Sequence, residues 1–253
     1  MSTEPLEQAL VSCVMPTCNR APWVRNAVAL FLRQTYPHRE LVVVDDSDDG
    51  GATRTAVPTD DPRIRYVRAG DGMTLGGKRN LGASEARGSI IALWDDDDWY
   101  GPDRLAVQVA PLLAGEADIT AFGDCTFLWL HEKRFWQVTP ELMPRLFLLG
   151  IVAGSQVFLK TLLAHTQFPK IDLIEEARFA SDAVSRGARL QRVSHEGHFV
   201  YVRHGDRHAW WNLQVGLVDP GGWLEVDAPA AFIGDEEFGA GLLRRGGPLQ
   251  AAG

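Results

Sequence analysis

Cysteine is scarce in this sequence, and its spacing excludes two classes of small stabilised domain. The chain has three cysteines, Cys13, Cys18 and Cys125, and no CxxC pair. A disulfide scaffold or a structural zinc site needs more cysteines at characteristic spacings. We therefore expect Cys13 and Cys18 to be small side chains of the core or of a loop.

Basic residues are outnumbered by acidic ones, with 25 Lys and Arg against 33 Asp and Glu and a net charge of −8. A nucleic-acid-binding protein usually has the opposite balance, because its basic side chains neutralise phosphates. There is also no polybasic segment that could bind an anionic membrane surface. The composition predicts no nucleic-acid partner.

Long apolar runs are absent as well. The first ten residues, MSTEPLEQAL, are polar and acidic and do not resemble a signal peptide. The longest apolar stretch, residues 146–159, is interrupted by glycine, serine and glutamine and is shorter than the roughly 20 residues that span a bilayer. We predict buried core for this stretch, no membrane span and a cytoplasmic protein.

The first half of the chain alternates apolar strands with helices. Its hydrophobic content of 45% is that of an ordinary globular protein. This alternation predicts an α/β domain with a mostly parallel central sheet and helices on both faces. The predicted strands are residues 11–16, 40–45, 63–68 and 89–94, and the predicted helices are residues 21–34, 76–86 and 102–113.

The second half is less regular. Strands are predicted at residues 117–122, 155–159 and 199–202, and helices at residues 140–149 and 175–186. From Asp219 onward the chain is rich in glycine and proline and is predicted to be loop-like. No internal repeat and no clear linker is present, so a single domain is expected.

Two apolar strands each run into a cluster of carboxylates, at residues 45–49 and at residues 95–98. Ligands of open α/β sheets bind beyond the carboxyl ends of the strands, so both clusters should face one crevice. Consecutive carboxylates repel one another unless a cation compensates them. Oxygen ligands suit Mg²⁺ or Mn²⁺, which complete their coordination with phosphates and water. Neither cluster is an EF-hand, because Ala56 and Tyr100 occupy obligatory Glu and Gly positions.

Four ordered motifs, VSCVMPTCNR, ELVVVDDSDDG, GGKRNLGASEARGSIIALWDDDDWYGPDRL and IEEARF, together resemble the family 2 inverting glycosyltransferases of the GT-A fold. The resemblance covers roughly residues 10–205 and is strongest over residues 76–105. It implies one GT-A domain over residues 1–218, with a nucleotide-binding half at 10–115 and an acceptor-side half at 116–218. Residues 219–253 would then be a C-terminal tail or a flap.

The resemblance also implies where a nucleotide-sugar donor binds. Residues of the first loop would border the base pocket, Asp46 would contact the base or ribose, and Arg79 would lie near the diphosphate. Asp95 and Asp96 match positions near the ribose and the metal. The implied donor-binding residues are Pro16, Thr17, Asn19, Arg20, Asp46, Arg79, Asp95 and Asp96.

For the metal and the chemistry, the resemblance implies Asp97 as the main ligand of Mg²⁺ or Mn²⁺, with Asp95 beside it. His204 is a further candidate ligand, the alternative being a surface or core histidine. Glu176 matches the position of the catalytic base, where the family more often has Asp. Whether Glu175 or Glu176 is the base stays open at this point.

These groups suit sugar transfer. A departing diphosphate develops negative charge that a divalent cation stabilises, and an acceptor hydroxyl needs a base to take its proton. A single base without a covalent intermediate predicts inversion at the anomeric carbon. UDP is the default nucleotide, and the acceptor is open among a glycan, a small molecule, a lipid-linked molecule and a peptide.

Two other functions remain as alternatives. A nucleotidyltransferase also binds a nucleotide and Mg²⁺, but usually has a glycine-rich basic first loop where this chain has PTCNRAPW. A catalytically inactive nucleotide-sugar-binding protein is disfavoured by the intact Asp95, Asp97 and Glu176. Residues 72–78 nearly form a P-loop, but Arg79 replaces the required Ser or Thr. The sequence also has three tryptophans near its C-terminal end, Trp210, Trp211 and Trp223. They either line an acceptor site or pack the C-terminal segment onto the core.

Overall fold

The computed structural model describes residues 9–204, 216 and 218–233. Its first half alternates strands and helices as the sequence predicts. The elements are β1 (Val11–Thr17), α1 (Ala21–Leu32), β2 (Arg39–Asp45), α2 (Ala52–Thr55), β3 (Ile64–Arg68), α3 (Leu75–Glu85), β4 (Ile90–Leu93), β5 (Trp99–Tyr100), α4 (Arg104–Leu113), β6 (Ile119–Phe122), β7 (Thr126–Trp129), β8 (Arg134–Val138), α5 (Met143–Leu146), β9 (Val157–Leu159), α6 (Glu175–Ser185), β10 (Leu190–Val193), β11 (Phe199–Arg203), β12 (Trp223–Val226) and α7 (Ala230–Ile233).

Within the described residues, seven strands form the central sheet in the order β10-β6-β9-β4-β1-β2-β3. Only β9 runs antiparallel to its neighbours, β4 and β6, and the other four pairs are parallel. The predicted mostly parallel sheet is therefore confirmed. The carboxyl ends of β1, β2 and β4 lie side by side at one edge, because β1 pairs with both of the others.

Helices cover both faces of this sheet, as predicted. Successive strand side chains point to opposite faces, and on β1 Cys13 and Met15 pack in the core cluster that contains α1 and α4. Val14, between them, packs with residues of α3 and α6. At Gly82 of α3 an added Cβ would lie 2.4 Å from Val14 Cγ1. Glycine at this position lets α3 approach the sheet closely, which positions the side chains at its start.

A second sheet of five strands, in the order β12-β8-β7-β11-β5, lies beyond the central sheet in the described chain. Of its strands, the sequence predicted only β11. The loop-like prediction from Asp219 onward is wrong for β12, which pairs antiparallel with β8. Trp223 starts this strand and is 6% exposed, with its ring centroid 5.4 Å from that of Phe127. Trp223 therefore packs the segment onto the core, whereas Trp210 and Trp211 lie outside the described residues.

The helix predicted at residues 140–149 is wrong in its extent. Only α5 is α-helical, and the chain then makes a 3₁₀ turn in which Leu149 and Gly150 have φ of 61° and 59°. The apolar period of this segment continues past the helix because its side chains face the cavity described below. Residues 146–159 are also not continuous core, since Leu148 is 52% exposed. In the part of the chain that the structure describes, no helix is long and apolar enough to cross a membrane.

Candidate active site

A cavity of about 630 Å³ lies beyond the carboxyl ends of β1, β2 and β4. Both acidic clusters contribute to it, as the strand-end argument predicts. Helix α3 and the start of α6 close it from the other side. The predicted site residues that line it are Pro16, Thr17, Arg20, Asp46, Arg79, Asp95, Asp96, Asp97 and Glu176.

Asp96 and Asp97 both form ion pairs with the guanidinium group of Arg20 at one side of the cavity. Arg20 Nη1 lies 2.7 Å from Asp96 Oδ1 and 2.9 Å from Asp97 Oδ2. Thr17 donates a further hydrogen bond of 2.6 Å to Asp96, and His204 Nε2 lies 3.0 Å from Asp97 Oδ2. Burial disfavours the charged form of Asp97, but Arg20 and His204 outweigh it and hold its pKa below the ordinary value. Asp97 is therefore ionised at neutral pH.

Asp95 and Asp98 point to different neighbours, which separates the four consecutive carboxyl groups. Asp95 Oδ1 accepts a 2.9 Å hydrogen bond from Arg79 Nη2, and Asp98 Oδ1 accepts one of 3.0 Å from the backbone N–H of Val202. Burial raises the pKa of Asp95, and that of Asp98 well above its ordinary value, with Asp97 adding repulsion in both. The run reduces its mutual repulsion because its members pair with different neighbours, and the raised pKa values of Asp95 and Asp98 favour their neutral forms.

Asp46 forms a buried ion pair that sequence reasoning missed. Lys78 Nζ donates to Asp46 Oδ1 at 2.8 Å and to the carbonyl of Thr17 at 3.1 Å. Both side chains line the cavity at the end of β2, and Lys78 is 7% exposed. In the sequence, Lys78 is distinguished only as the lysine of residues 72–78, the segment that nearly forms a P-loop. Its place near the start of α3, on the face toward the strand ends, was the signal available.

Arg79 is buried between two carboxylates. It is 1% exposed, and its Nε lies 2.9 Å from Glu175 Oε1 while Nη2 contacts Asp95. Its remaining nitrogen, Nη1, is buried without a hydrogen bond among the described residues. Glu175 is fully buried in this pair. The arrangement commits Glu175 to Arg79 and makes it a poor candidate for proton transfer.

Glu176 is half-buried at the first turn of α6 and borders the cavity. Its backbone carbonyl accepts a 2.9 Å hydrogen bond from Gln156 Nε2, which ties this turn to the core. Burial, and then the charge of Glu175, raise the pKa of Glu176 from 4.5 to about 8. A carboxylate with a raised pKa is a stronger base than an ordinary glutamate once it is ionised.

Two predicted site residues do not line the cavity. Asn19, in the left-handed region with φ of 56°, donates from Nδ2 to Asp48 and accepts from the N–H of Asp48, which closes the first loop over the second. His204 is 4% exposed and contacts the site through Asp97. Its ring stacks near Trp23, with centroids 4.3 Å apart.

The opposite wall of the cavity carries many apolar side chains beside a few charged ones, and the sequence did not predict it. It consists of residues 146–148 and 151–154 together with residues 172–178. Gly154 lies against the acidic cluster, since an added Cβ would be 2.8 Å from Asp95 Oδ2. Ile174, just before α6, has φ of 60°, which for a β-branched residue is a strained conformation that costs about 1–3 kcal/mol.

The donor atoms at Asp97 fit a divalent cation. Carboxylate oxygens are the ligands that Mg²⁺ and Mn²⁺ prefer, whereas His204 Nε2 is hydrogen-bonded to Asp97 Oδ2 at 3.0 Å. Asp95 and Asp97 are each 21% exposed, so both present oxygen to the cavity. Among the described residues no group of three metal-binding side chains is present. A cation held by these residues would therefore take further ligands from substrate phosphate and water.

Comparison with known proteins points in one direction. The sequence model of the family described as Glycosyl transferase family 2 matches residues 12–150, more than half of the 253 residues. The succinoglycan biosynthesis protein ExoO of Rhizobium meliloti is 34% identical over 215 residues, which are 77% of this chain and 61% of that protein. An uncharacterized glycosyltransferase of Rickettsia felis is 33% identical over 135 residues, 53% of this chain and only 22% of that protein. The chain thus spans less than two thirds of these relatives.

One further relative has a specific description. The UDP-Glc:alpha-D-GlcNAc-diphosphoundecaprenol beta-1,3-glucosyltransferase WfgD of Escherichia coli is 29% identical over 108 residues, which are 43% of each chain.

Solved structures share the fold at low identity. TarS 1–349 of S. aureus in complex with UDP-GlcNAc has a TM-score of 0.63 at 16% identity, covering 81% of this chain and 62% of that one. The mannosyltransferase PcManGT of Pyrobaculum calidifontis, in complex with GDP-Man and Mn²⁺, has a TM-score of 0.63 at 20% identity, covering 83% and 61%. The predicted GT-A fold is confirmed.

Proposed function

The chain belongs to glycosyl transferase family 2, and we propose that it moves a sugar from a nucleotide-diphosphate sugar to an acceptor nucleophile. One observation carries the proposal. The ionised Asp97 and the base candidate Glu176 line the same cavity, Asp97 beyond the strand ends and Glu176 at the start of α6. Such a cavity can hold a leaving diphosphate on one side and an attacking hydroxyl on the other.

The nucleoside would lie at the ends of β1 and β2, beside the pair of Asp46 and Lys78. This pair offers both a hydrogen-bond acceptor and a donor, the two groups that the edge of a uracil or a guanine requires. TarS bound to UDP-GlcNAc and PcManGT bound to GDP-Man support a nucleoside diphosphate in general. A UDP-sugar stays our default donor.

We propose Mg²⁺ or Mn²⁺ as the cofactor, held by Asp97 with Asp95, while His204, the third predicted ligand, positions Asp97 through a hydrogen bond. A bound cation supplies charge that stabilises the departing diphosphate. The Mn²⁺ in the PcManGT complex and the donor atoms at Asp97 support this assignment. Arg20 contacts both Asp96 and Asp97 and orients them, and it helps to hold the pKa of Asp97 below its ordinary value, while Arg79 orients Asp95.

Glu176 is our proposed base. It takes the proton of the acceptor hydroxyl as that oxygen bonds to the anomeric carbon, while the bond from carbon to the diphosphate oxygen breaks and the diphosphate leaves with the electron pair. A single displacement of this kind inverts the anomeric carbon. Glu175 holds Arg79 and leaves the proton transfer to its neighbour. The division into a nucleotide-binding and an acceptor-side half, and a cytoplasmic location, stay predictions from the sequence.

Product analysis tests the proposal. The protein is incubated with UDP-sugars and GDP-sugars, with Mn²⁺ or with a chelator, and the nucleotide products are identified. Metal-dependent release of a nucleoside diphosphate is expected. Release of pyrophosphate from a nucleoside triphosphate and a sugar phosphate would instead indicate the nucleotidyltransferase. Donor binding that raises thermal stability without turnover, with an acceptor mixture present, would indicate the inactive binding protein.

A further inference from the structure

Exposed apolar side chains concentrate at the mouth of the cavity. Six large hydrophobic residues are exposed in the described chain, and three of them, Leu148, Leu173 and Ile174, line this one cavity. They are 52%, 45% and 48% exposed, and we call them the apolar rim. Isolated exposed leucines are ordinary, whereas exposed apolar groups gathered around one cavity indicate a ligand that covers them.

The backbone of the apolar rim is strained in a way that folding does not explain. Ile174 has φ of 60° and ψ of 14°, a conformation that Asn or Gly adopts far more readily than a β-branched residue. Its side chain is half exposed, so the strain is not offset by full burial. Strain of this kind is typical of binding and catalytic sites. Ile174 also immediately precedes Glu175 and Glu176, which places the apolar rim beside the proposed base.

An arginine with no side-chain partner among the described residues lies next to the apolar rim. Arg178 is exposed, lines the cavity two residues after Glu176, and forms no side-chain hydrogen bond or ion pair with the described residues. The other cationic side chains of the cavity have contacts. Arg20, Lys78 and Arg79 pair with carboxylates, and Arg203 lies over the ring of Tyr201. Arg178 is thus available to bind an anion, and a guanidinium suits a phosphate.

We propose that the acceptor is a sugar linked through phosphate to a long aliphatic chain. Arg178 binds the phosphate, the apolar rim covers the first part of the aliphatic chain, and a sugar hydroxyl reaches Glu176. The proposal rests on the proposed function and names the acceptor class for it. In the reaction the hydroxyl oxygen bonds to the anomeric carbon of the donor, its proton goes to Glu176, and the nucleoside diphosphate leaves with the electrons of the broken bond. The lipid phosphate is unchanged.

Only this class of acceptor would contact both Arg178 and the apolar rim. We call the side of the cavity that holds them, together with Glu176, the acceptor wall. A soluble glycan or a free sugar phosphate would leave the apolar rim uncovered, and a neutral alkyl glycoside would leave Arg178 without a partner. The experiment therefore separates the two features. Binding of decyl phosphate, of inorganic phosphate and of decyl β-glucoside is measured by calorimetry on the full chain, below the concentration at which micelles form.

Two variants remove one feature each. Arg178→Gln removes the cation, and Ile174→Asn removes apolar surface while placing in the left-handed conformation a residue that tolerates it, so that folding is not at risk. Matched controls remove the same chemistry elsewhere. Arg25→Gln replaces an exposed helical arginine without a side-chain partner in the described chain, and Leu224→Asn replaces a leucine that is 51% exposed on β12.

The wild-type protein should bind decyl phosphate at least about tenfold more tightly than either reference compound. Arg178→Gln should weaken decyl phosphate about tenfold and leave decyl β-glucoside unchanged. Ile174→Asn should weaken both decyl compounds about fivefold and leave inorganic phosphate unchanged. Both control variants should bind all three as the wild type does.

The proposal is overturned if decyl phosphate binds no better than decyl β-glucoside, or if the two variants bind it as the wild type does. It is also overturned if Ile174→Asn lowers thermal stability without changing alkyl binding, because the apolar rim is then covered by another part of this chain. Release of nucleoside diphosphate is measured in parallel. Its absence from the wild type with every donor counts against the proposed function, while decyl phosphate binding still reports on the acceptor wall.

Discussion

The two walls of the cavity differ in how their side chains are held. On the donor wall, at the ends of β1, β2 and β4, carboxylates and cations pair with one another, as in the pairs of Asp46 with Lys78 and Asp97 with Arg20. On the acceptor wall, around residues 146–154 and 172–178, the backbone turns through left-handed residues and apolar side chains remain exposed. The first wall is built on paired strands and the second on short turns.

For the proposed reaction, this difference indicates which substrate each wall would bind. Strand ends in a buried sheet move little, so charges placed there are preorganised for the diphosphate that every donor shares. Connecting segments vary more easily in sequence and shape, so they suit the part of the reaction that differs between enzymes. We therefore expect changes on the donor wall to abolish the chemistry, and changes on the acceptor wall to alter the choice of acceptor.

The largest effect is expected on the donor wall. Asp97→Asn should lower both nucleoside diphosphate release and sugar transfer about 10³-fold, because the variant cannot hold the cation that stabilises the leaving group. Steady-state kinetics with added Mn²⁺ measures the change. Asp60→Asn, an exposed position outside the cavity, is the control and should retain full activity. Transfer by Asp97→Asn at the wild-type rate would refute the cation site.

The second-largest effect is expected for Glu176, the proposed catalytic base on the acceptor wall. Glu176→Gln should lower kcat for transfer about 10²-fold or more, because the acceptor hydroxyl keeps its proton, while donor affinity stays within about twofold. Donor affinity is measured by calorimetry with the nucleoside diphosphate and Mn²⁺. Equal losses of donor affinity and of kcat would mean that Glu176 supports the donor wall instead.

Glu175→Gln separates the two neighbouring glutamates through stability. Removing one charge from the buried pair with Arg79 leaves that guanidinium partly unpaired and should cost about 3 kcal/mol of the free energy of unfolding. Glu176→Gln should not destabilise at pH 7, because the fold already favours the neutral form of Glu176. Urea denaturation of both variants checks this. Similar losses in the two would show that both carboxylates are structural.

The pH dependence provides a finer comparison. Because the pKa of Glu176 is raised to about 8, the ionised fraction of the base increases through this pH, and kcat/KM for the acceptor should rise with pH and level off above it. In Glu175→Gln the rise should move to lower pH, because a neutral neighbour no longer opposes ionisation. The free energy of unfolding should change in the opposite direction. Because the pKa of Glu176 is higher in the folded state, the stability of the wild type falls as pH rises from 4.5 to about 8. Glu176→Gln should not show this fall.

The smallest effect is expected where the acceptor wall is anchored to the sheet. Arg192, on β10, donates hydrogen bonds to the carbonyls of Leu149 and Gly150 from Nη2 and Nε. Arg192→Lys cannot reach both carbonyls with the same geometry, so KM for the acceptor should rise about two- to fivefold with kcat and donor KM unchanged. Arg186→Lys, in an exposed ion pair on α6, serves as control. A change in donor KM would mean that the walls are coupled.

Much of the fold and of the donor wall could be predicted from the sequence. The β-branched run of β2 and the apolar run of β4 specify buried parallel strands, and the carboxylates that follow them must lie at the strand ends. Of the second sheet only β11 was predicted, and β5, for example, has just two residues, too few to show alternation. The helix expected over residues 140–149 failed because an apolar helical period does not distinguish a helix from turns that line a cavity.

For the site itself, local sequence determined which residues follow which strand, since the order of buried and turn residues along a strand is a property of the chain alone. It could not determine how charges pair across distant segments. The partnership of Lys78 with Asp46 exists because α3 packs against the sheet, and that of Arg79 with Glu175, 96 residues apart, exists because α6 packs against α3. Tertiary structure also decided that, although both glutamates border the cavity, Glu175 is fully buried against Arg79 while Glu176 is only half-buried. The two adjacent glutamates are the same residue type, and their environments differ only because consecutive residues in the first turn of α6 point in different directions.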